Sequence, residues 1–442
     1  MDFAPALIDD SVLPASQSGR WCVAFSGGLD STVLLHALHR RQRLTGVPGQ
    51  LQALHVHHGL QASADDWVRH CMEQAAHLDI PLQVLRVDVA PHDAAGPEAA
   101  ARYARYQALQ SAMQPGDVLV TAHHLDDQAE TFLMRALRGA GTRGLAAMSA
   151  LQPCSPGWLW RPLLAFDRPA LARYAASERL GWVDDPHNQH PRYERSWLRT
   201  QVMPLLHQRW PSAARSLARS AHWSADSRSL LDELARIDDA TCNRGERTLD
   251  CAALAALSPA RRANLLRMRI EQAGLPTPPH RAIEQIDSLL SAADDAQPLL
   301  TWPGAELRRY RSQLWLLSPL PPEPSDWSIT WDGTGSLALP EGCGALEAPA
   351  DAVPRSLCVR FARGGEKIKA RPDGPHRSLK NLYQEQGVPP WRRRRTPLVF
   401  EAGELRWVGA LSRMGGADSL YQRLRWKTDG GSETDVVSGP DL

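Results

Sequence analysis

The sequence predicts an α/β protein: an open, mainly parallel sheet with helices on both faces, then a helical middle domain and a small α+β domain at the C-terminus. Three observations predict it. Short apolar runs alternate with stretches of helical spacing through the first third of the chain. Each helical stretch is long enough to return the chain for a parallel pairing, which a hairpin cannot do. The pattern then changes, first to helical segments and later to short strands. With 442 residues the chain exceeds one compact core, so several domains are expected.

The elements follow in order. "RWCVAF" (20–25) is the first strand; it runs through the glycine turn "SGGLDS" (26–31) into the helix "STVLLHALHRR" (31–41). "LQALHVHH" (51–58) is the second strand and "SADDWVRHCMEQAAHLD" (63–79) the helix after it. "LQVLRVDV" (82–89) is the third strand, followed by the helix "PEAAARYARYQALQSAM" (97–113), with Pro97 suited to a first helical turn. "DVLVTAHH" (117–124) is the fourth strand and "DDQAETFLMRALRG" (126–139) the fourth helix, stopped by Gly139. A further strand, "WLWRPL" (158–163), leads to the helix in "FDRPALARYAASERLG" (166–181), with Asp167 at its N-cap. A polar loop then feeds an amphipathic helix up to residue 211. The expected divisions are 1–215, 216–320 (helical), a proline-containing linker at 321–350, 351–427 (small, α+β) and a polar, disordered tail at 428–442.

Hydrophobic residues make up 43% and charged residues 22%, the balance of a soluble chain. The N-terminus "MDFAPALIDD" is acidic and lacks the basic-then-apolar pattern of a signal peptide. No apolar run reaches the ~18 residues of a membrane span. The chain reads as cytoplasmic, with no membrane partner. Seven cysteines include no C-x-x-C pair and read as reduced thiols. Fifty Lys and Arg balance 49 Asp and Glu, so net charge does not announce nucleic acid. The lysines are Lys367, Lys369, Lys380 and Lys427, and all other basic side chains are arginines. Cationic contacts are therefore almost all guanidinium forks, suited to phosphate and to stacking.

The glycine turn carries the first chemical signal. A Walker A loop needs a lysine before its Ser/Thr, and none is near. The G-x-G-x-x-G fingerprint fails because Gly27 and Gly28 are adjacent. What remains is a strand, Ser26-Gly27-Gly28-Leu29-Asp30-Ser31, and a helix. Backbone N–H groups, two hydroxyls and a helix N-terminus suit an anion of pyrophosphate size. Asp30 would repel bare phosphate and is sensible with a cation such as Mg²⁺ between them. A tight turn capped by Ser and Asp accounts for the same residues without a ligand.

"SGGLDS" after an apolar strand resembles the PP-loop motif of N-type ATP pyrophosphatases, which split ATP into AMP and pyrophosphate. The motif specifies the superfamily and not the substrate. Downstream come "HVHHGL" (55–60), "RYARYQAL" (102–109), "TAHHLDDQAETFLMRALRGAGTRGLAAM" (121–148), "RPLL" (161–164), "DDPHNQHPRYERSWLR" (184–199) and "LKNLYQEQGVPPWRRRRTPLVF" (379–400). In that order they resemble the tRNA(Ile)-lysidine synthetases over most of the chain. The resemblance implies a Rossmann-like PP-loop domain and ATP as co-substrate. It implies two further substrates, tRNA(Ile) bearing a CAU anticodon and free L-lysine. ATP would adenylate the C2 oxygen of cytidine 34, and the lysine ε-amine would displace AMP from C2. The codon read would change from AUG to AUA. A thiolating relative would need C-x-x-C pairs, and a glutamine-hydrolysing one an amidotransferase domain; neither is seen. Oligomeric state is left open, a homodimer included.

Carried onto this sequence, the resemblance assigns Ser26, Gly27, Gly28, Leu29, Asp30 and Ser31 to ATP, with Asp30 also the Mg²⁺ contact and a catalytic residue. Asp127 and Glu130 stand three apart on one helix face and become the lysine-ammonium carboxylates; the same spacing is also a capping box. Asp126 is then a simple cap or a metal contact. Arg102 and Arg105, otherwise a solvated face, become a nucleotide contact and a catalytic residue. His58 is assigned to the nucleotide, and His123 to nucleotide contact or proton transfer. Asn188, Arg195 and Arg199 match the family's N-x₆-R-x₃-R and are assigned to the base or the tRNA backbone. Lys380 and the run Arg392, Arg393, Arg394 and Arg395 read either as a charged loop or as an RNA-phosphate surface.

Overall fold

The computed structural model describes residues 2–14, 19–45, 50–57, 59, 64–87, 97–184, 194–293, 296–369, 375–411 and 419–428. The chain divides into two compact units, Met1–Leu231 and Asp232–Leu442.

The first unit is built on the expected βαβ alternation. Its elements are β1 (Trp21–Ala24), α1 (Leu29–Thr45), β2 (Leu51–His57), α2 (Ala64–His77), β3 (Leu82–Arg86), α3 (Pro97–Ser111), β4 (Val118–Val120), α4 (Leu125–Leu137), α5 (Thr142–Leu145), β5 (Leu151–Cys154), β6 (Gly157–Trp160), α6 (Arg168–Ser177), α7 (Glu194–Trp197), α8 (Met203–Arg209) and the first part of α9 (Ala213–Cys242), whose remainder belongs to the second unit. The strand order is β3-β2-β1-β4-β6-β5. All neighbours are parallel except β5, which pairs antiparallel with β6 through Leu151↔Trp160 and Cys154↔Gly157. That edge strand was not expected; its Pro153 lacks the N–H of an interior strand residue and reads as a breaker.

Alternation along the central strands explains why the sheet is covered on both sides. Val23, Val118 and Val120 join Val33, Leu34, Leu38 and Leu171 in one fully buried cluster, under α1 and α6. Cys22 and Leu119, one residue out of phase, join Leu54, Leu109, Met113 and Leu159 on the other face, under α3. The order of strands reverses between β1 and β4, so their carboxyl ends flank a crevice suited to ligand. The glycine turn follows β1 and "TAHH" follows β4.

The second unit contains helices α10 (Cys251–Ala256), α11 (Pro259–Gln272), α12 (His280–Glu284) and α13 (Ile286–Ser291). They pack on a sheet of order β7-β8-β11-β10-β9, formed by Asn243–Gly245, Thr248–Asp250, Gln313–Leu317, Ala305–Tyr310 and Leu299–Trp302. Residues 321–350 are not a bare linker. They carry β12 (Ser328–Trp331), β13 (Ser336–Ala338) and β14 (Ala345–Glu347), with Leu346 and Cys343 fully buried. The prolines of 319–327 masked the short alternating runs that follow. Then come β15 (Leu357–Arg360), β16 (Lys367–Lys369), β17 (His376–Ser378), α14 (Leu379–Glu385), α15 (Pro390–Arg393), β18 (Leu398–Glu401), β19 (Glu404–Val408), α16 (Ser419–Arg423) and β20 (Arg425–Lys427). The expected boundary at 215 falls inside the continuous helix α9. Of the expected tail, residues 429–442 lie outside the described residues.

Candidate active site

The glycine turn is shaped by backbone needs. Gly27 has φ of 81°, and a Cβ there would stand 2.8 Å from the Cys71 Sγ, so a side chain is excluded on both counts. The Ser31 hydroxyl donates to the Gly28 carbonyl at 3.0 Å and accepts the Ser26 N–H at 3.2 Å; the two serine oxygens are 3.0 Å apart. These bonds close the turn onto the start of α1. The first-turn N–H groups of α1 have no partner within the helix. The Leu29 side chain is buried in the core, so a contact of Leu29 with a ligand would be made by its backbone.

Asp30 is the second residue of α1. Its Oδ1 is buried without a hydrogen bond and lies 3.7 Å from Arg168 Nε; its Oδ2 lies 3.8 Å from His124 Nε2. Burial raises its pKa, and His124 and Arg168 pull it back only in part. His124, missed in the sequence, is the hub of the site. Its Nε2 is 3.4 Å from Asp127 Oδ2, and its Nδ1 is 3.4 Å from Asp126 Oδ2. Burial alone would lower its pKa; Asp127, Asp126 and Asp30 together raise it. The signal available was the His-His pair directly before the α4 acids, of which the first attracts attention because it follows the strand. That first residue, His123, bonds Thr121 Oγ1 through Nδ1 at 2.9 Å and is pushed down to about 3 by burial, so it is neutral at neutral pH.

The acids divide their work. Asp126 accepts the Arg168 N–H at 2.8 Å and so caps α6, where Asp167 also caps through the Ala170 N–H. Asp127 accepts the His124 N–H at 3.0 Å, so the capping interaction runs from 127 back to 124 and does not use Glu130. Glu130 and Asp127 are both buried and both face the helix that follows 185–193. Arg195 bonds Glu130 Oε2 and Asp127 Oδ1, each at 2.8 Å. Arg199 bonds Glu130 Oε1 at 2.7 Å, and Glu130 Oε2 and Asp127 Oδ1 at 3.0 Å. The i,i+4 arginines meet the i,i+3 acids as two guanidinium forks on two carboxylates. Arg199 sits in one wide π turn, Leu198–Val202, that interrupts the passage from α7 to α8. Burial opposes ionisation of Asp127, but His124, Arg195, His123 and Arg199 hold it well below the usual carboxylate range.

Arg105 is pushed down mainly by burial, with Tyr106 opposing and Arg102 and Arg195 adding like charge. Arg102 is exposed and stacks 5.1 Å from the Tyr106 centroid. His58 and Asn188 lie outside the described residues.

The arginine run in the second unit is tied into its own fold. Arg395 is buried and donates to the Trp391 carbonyl at 2.9 Å, which corrects its assignment as an RNA contact. Arg393 bonds the Val388 carbonyl at 2.8 Å and Tyr310 Oη at 3.0 Å, and Arg392 stacks 5.1 Å from the Trp315 centroid. Arg394 is exposed and pairs with Glu323 at 3.0 Å; Lys380 is exposed. Adjacent arginines in a sequence look alike, but a short helix turns them in different directions.

A protein from Xanthomonas axonopodis pv. citri named tRNA(Ile)-lysidine synthase is 43% identical over 97% of this chain and 98% of its own length. This chain belongs to the tRNA(Ile)-lysidine synthase family. A lysidine synthase from Pseudomonas aeruginosa is 44% identical over 94% of this chain and 95% of its own. Family models agree: a PP-loop domain matches residues 6–206, the TilS substrate binding domain 249–315 and the TilS substrate C-terminal domain 357–419. The glycine turn and the α4 acids of this lysidine-synthase family member thus lie within the PP-loop match. Among solved structures, the U34-tRNA thiolase NcsA from Methanococcus maripaludis overlaps 49% of this chain and 74% of its own at 18% identity and a TM-score of 0.40, too loose a likeness to bear on residue roles.

Proposed function

We propose that this chain, an ATP-using tRNA-modifying ligase of the lysidine synthase family, converts cytidine 34 of a CAU-bearing tRNA(Ile) to lysidine in the cytoplasm. One observation carries the proposal: two buried carboxylates, Asp127 and Glu130, share Arg195 and Arg199, and Asp127 is linked to Asp30 of the glycine turn through His124. A PP-loop explains AMP-forming chemistry. Buried acids beside it explain a cationic second substrate.

The C2 oxygen of cytidine attacks the α-phosphorus of ATP, and pyrophosphate leaves. The lysine ε-amine, once it has lost a proton, attacks C2; a C–N bond forms and the C–O bond to AMP breaks. Converting a poor leaving group into a good one is the purpose of the ATP. The protein supplies position and charge. Gly27, Gly28 and the first turn of α1 present N–H groups to the phosphates, with Ser26 and Ser31 fixing the turn. Arg102 and Arg105 add positive charge at the same end of the sheet.

Mg²⁺ fits Asp30. The buried Oδ1 accepts no hydrogen bond among the described residues and has Arg168 Nε only at 3.7 Å, which leaves its lone pairs for a cation. Magnesium binds through one or two carboxylates with phosphates and water completing the shell, and there it neutralises phosphate charge. Asp127 and Glu130 would receive the lysine ammonium, for which Arg195 and Arg199 must first give up part of their hold. Of the RNA candidates in the second unit, Arg394 and Lys380 are the exposed ones. Incubating the purified chain with unmodified tRNA(Ile), ATP and lysine, then weighing nucleoside 34 by mass spectrometry, tests the proposal. The expected product is cytidine plus lysine less water. Unmodified cytidine, or turnover with glutamine or a sulfur donor in place of lysine, would refute it.

A further inference from the structure

Arg161 has no role in the reaction above, and it gathers with Arg102 and Arg105, which enter that reaction only as general positive charge. Arg161 follows β6 and is buried, with 6% of its surface exposed. Its Nη1 donates to the Ser149 carbonyl at 2.8 Å and to Gln152 Oε1 at 3.2 Å, while its Nε is buried without any hydrogen-bond partner. The Tyr106 phenol lies against it. The same Tyr106 ring also has Arg102 at 5.1 Å and Arg105 at 5.8 Å from its centroid. Three guanidiniums therefore meet at one tyrosine. Among the described residues no carboxylate forms an ion pair with Arg105 or Arg161; Tyr106 lies against both, hydrogen-bonded to Arg161, and Arg102 adds like charge to each.

That contrasts with Arg195 and Arg199, which have two carboxylates between them. A buried cation without an anion is costly, and two carbonyl-type acceptors orient it without neutralising it. The fixed fork of Arg161 and the half-open pair on α3 have the chemistry of a site awaiting a phosphate. Topology says which phosphate. The glycine turn follows β1, the carboxylates follow β4, and Arg161 follows β6, three adjacent strands in the sheet. At about 4.8 Å per strand, the Arg161 backbone lies roughly 10 Å from the turn, on the far side of the carboxylates. The ATP phosphates are cradled at one end of this row; the anion at the other end is a different one.

We propose that Arg161, with Arg102 and Arg105, forms a second anion subsite that takes an RNA backbone phosphodiester next to the base being modified. The identity of the RNA rests on the function proposed above; the existence of the subsite does not. Arg161 is a binding residue fixed in advance by Gln152 and Ser149, and Arg102 and Arg105 close on the same phosphate from α3.

The test uses the full chain and three variants, Arg161→Gln, Arg161→Lys and Arg102→Gln. Affinity for tRNA(Ile) is measured by filter binding across a salt series, ATP affinity by equilibrium dialysis, and folding by thermal unfolding. Arg161→Gln is expected to weaken tRNA binding roughly 10- to 100-fold and to reduce the salt slope by about one, with ATP affinity within about twofold of the parent. Arg161→Lys restores part of the loss. Arg102→Gln, at an exposed position that cannot unfold the core, gives a smaller loss of the same sign. Unchanged tRNA affinity and salt slope in the folded variants would overturn the proposal and leave Arg161 as a strut for the β5–β6 hairpin. A loss of ATP affinity with tRNA binding intact would overturn it too, because the phosphate would then be the nucleotide's. If the parent chain makes no lysidine yet binds tRNA through Arg161, the subsite stands and the proposed function falls.

Discussion

Glu130 offers the sharpest test of the carboxylate assignment. It is 1% exposed and accepts three guanidinium hydrogen bonds, from Arg195 Nε at 2.8 Å and from Arg199 Nε and Nη2 at 2.7 and 3.0 Å. Glu130→Gln keeps the shape and one oxygen but removes the charge, and it turns an amide N–H₂ toward donors. Losing one ionised acceptor of a bound ammonium costs about 1.5–3 kcal/mol. That is roughly a 10- to 150-fold rise in the KM for lysine. Adenylation should change little, since Asp30 and the glycine turn are untouched. The assay separates the two steps: AMP or pyrophosphate formed with tRNA and ATP but no lysine reports adenylation, and lysidine formed over a lysine titration reports transfer. Thermal unfolding of the variant accounts for any loss of the arginine contacts. The reasoning is refuted if the KM for lysine stays within twofold of the parent in a folded variant, or if adenylation falls as far as transfer. Either result would make the acid–arginine cluster an ion network that only holds α7 and α8 to α4.

Asp30→Ala should abolish adenylation while leaving tRNA affinity intact, and EDTA should do the same to the parent; adenylation at the parent rate in the variant would remove Asp30 from the metal. Arg394→Ala should weaken tRNA binding without moving the melting temperature, whereas Arg395→Ala should destabilise the second unit by about 1–3 kcal/mol, because it strips buried carbonyls of their donor; the reverse pattern in a melting and filter-binding comparison would contradict the burial argument. His124 has its pKa raised in the fold, so its contribution to stability is fully present below its ordinary value near 6.5 and is lost as pH rises through the raised value. Unfolding free energy should therefore fall over that interval in the parent and stay flatter in His124→Gln; equal slopes would show that His124 is not protonated in the fold.

The sheet was legible because its signals are local. Val118, Leu119 and Val120 alternate between two faces within three residues, and Gly27 marks the turn where no side chain fits. Asp127 and Glu130 stood out in the sequence as a pair because residues three apart on a helix share a face. The partners of those acids were not. Arg195 and Arg199 lie more than sixty residues away in sequence, and nothing local distinguishes a guanidinium that will face RNA from one that will face a carboxylate. The role of His124 depends on an acid from α1 and two from α4 meeting across two strands. The strands at 328–347 are three or four residues each, too short for periodicity to rise above the surrounding prolines and glycines. Arg395 went astray for a different reason: a run of like charges hides which member the backbone turns inward.

Because Asp127 and Glu130 are already filled by guanidiniums, their geometry cannot by itself tell lysine from arginine as the incoming amino acid. A free arginine would satisfy the same oxygens. What its side chain lacks is a nucleophile: a guanidinium stays protonated throughout the working pH range, whereas a side-chain ammonium near 10.4 can be brought to surrender its proton. Selection between the two amino acids is then enforced at bond formation and not at docking. Arginine should compete with lysine for the site, slow lysidine formation, and never enter the product. The protein's own arginines can occupy its amine pocket safely for the same reason.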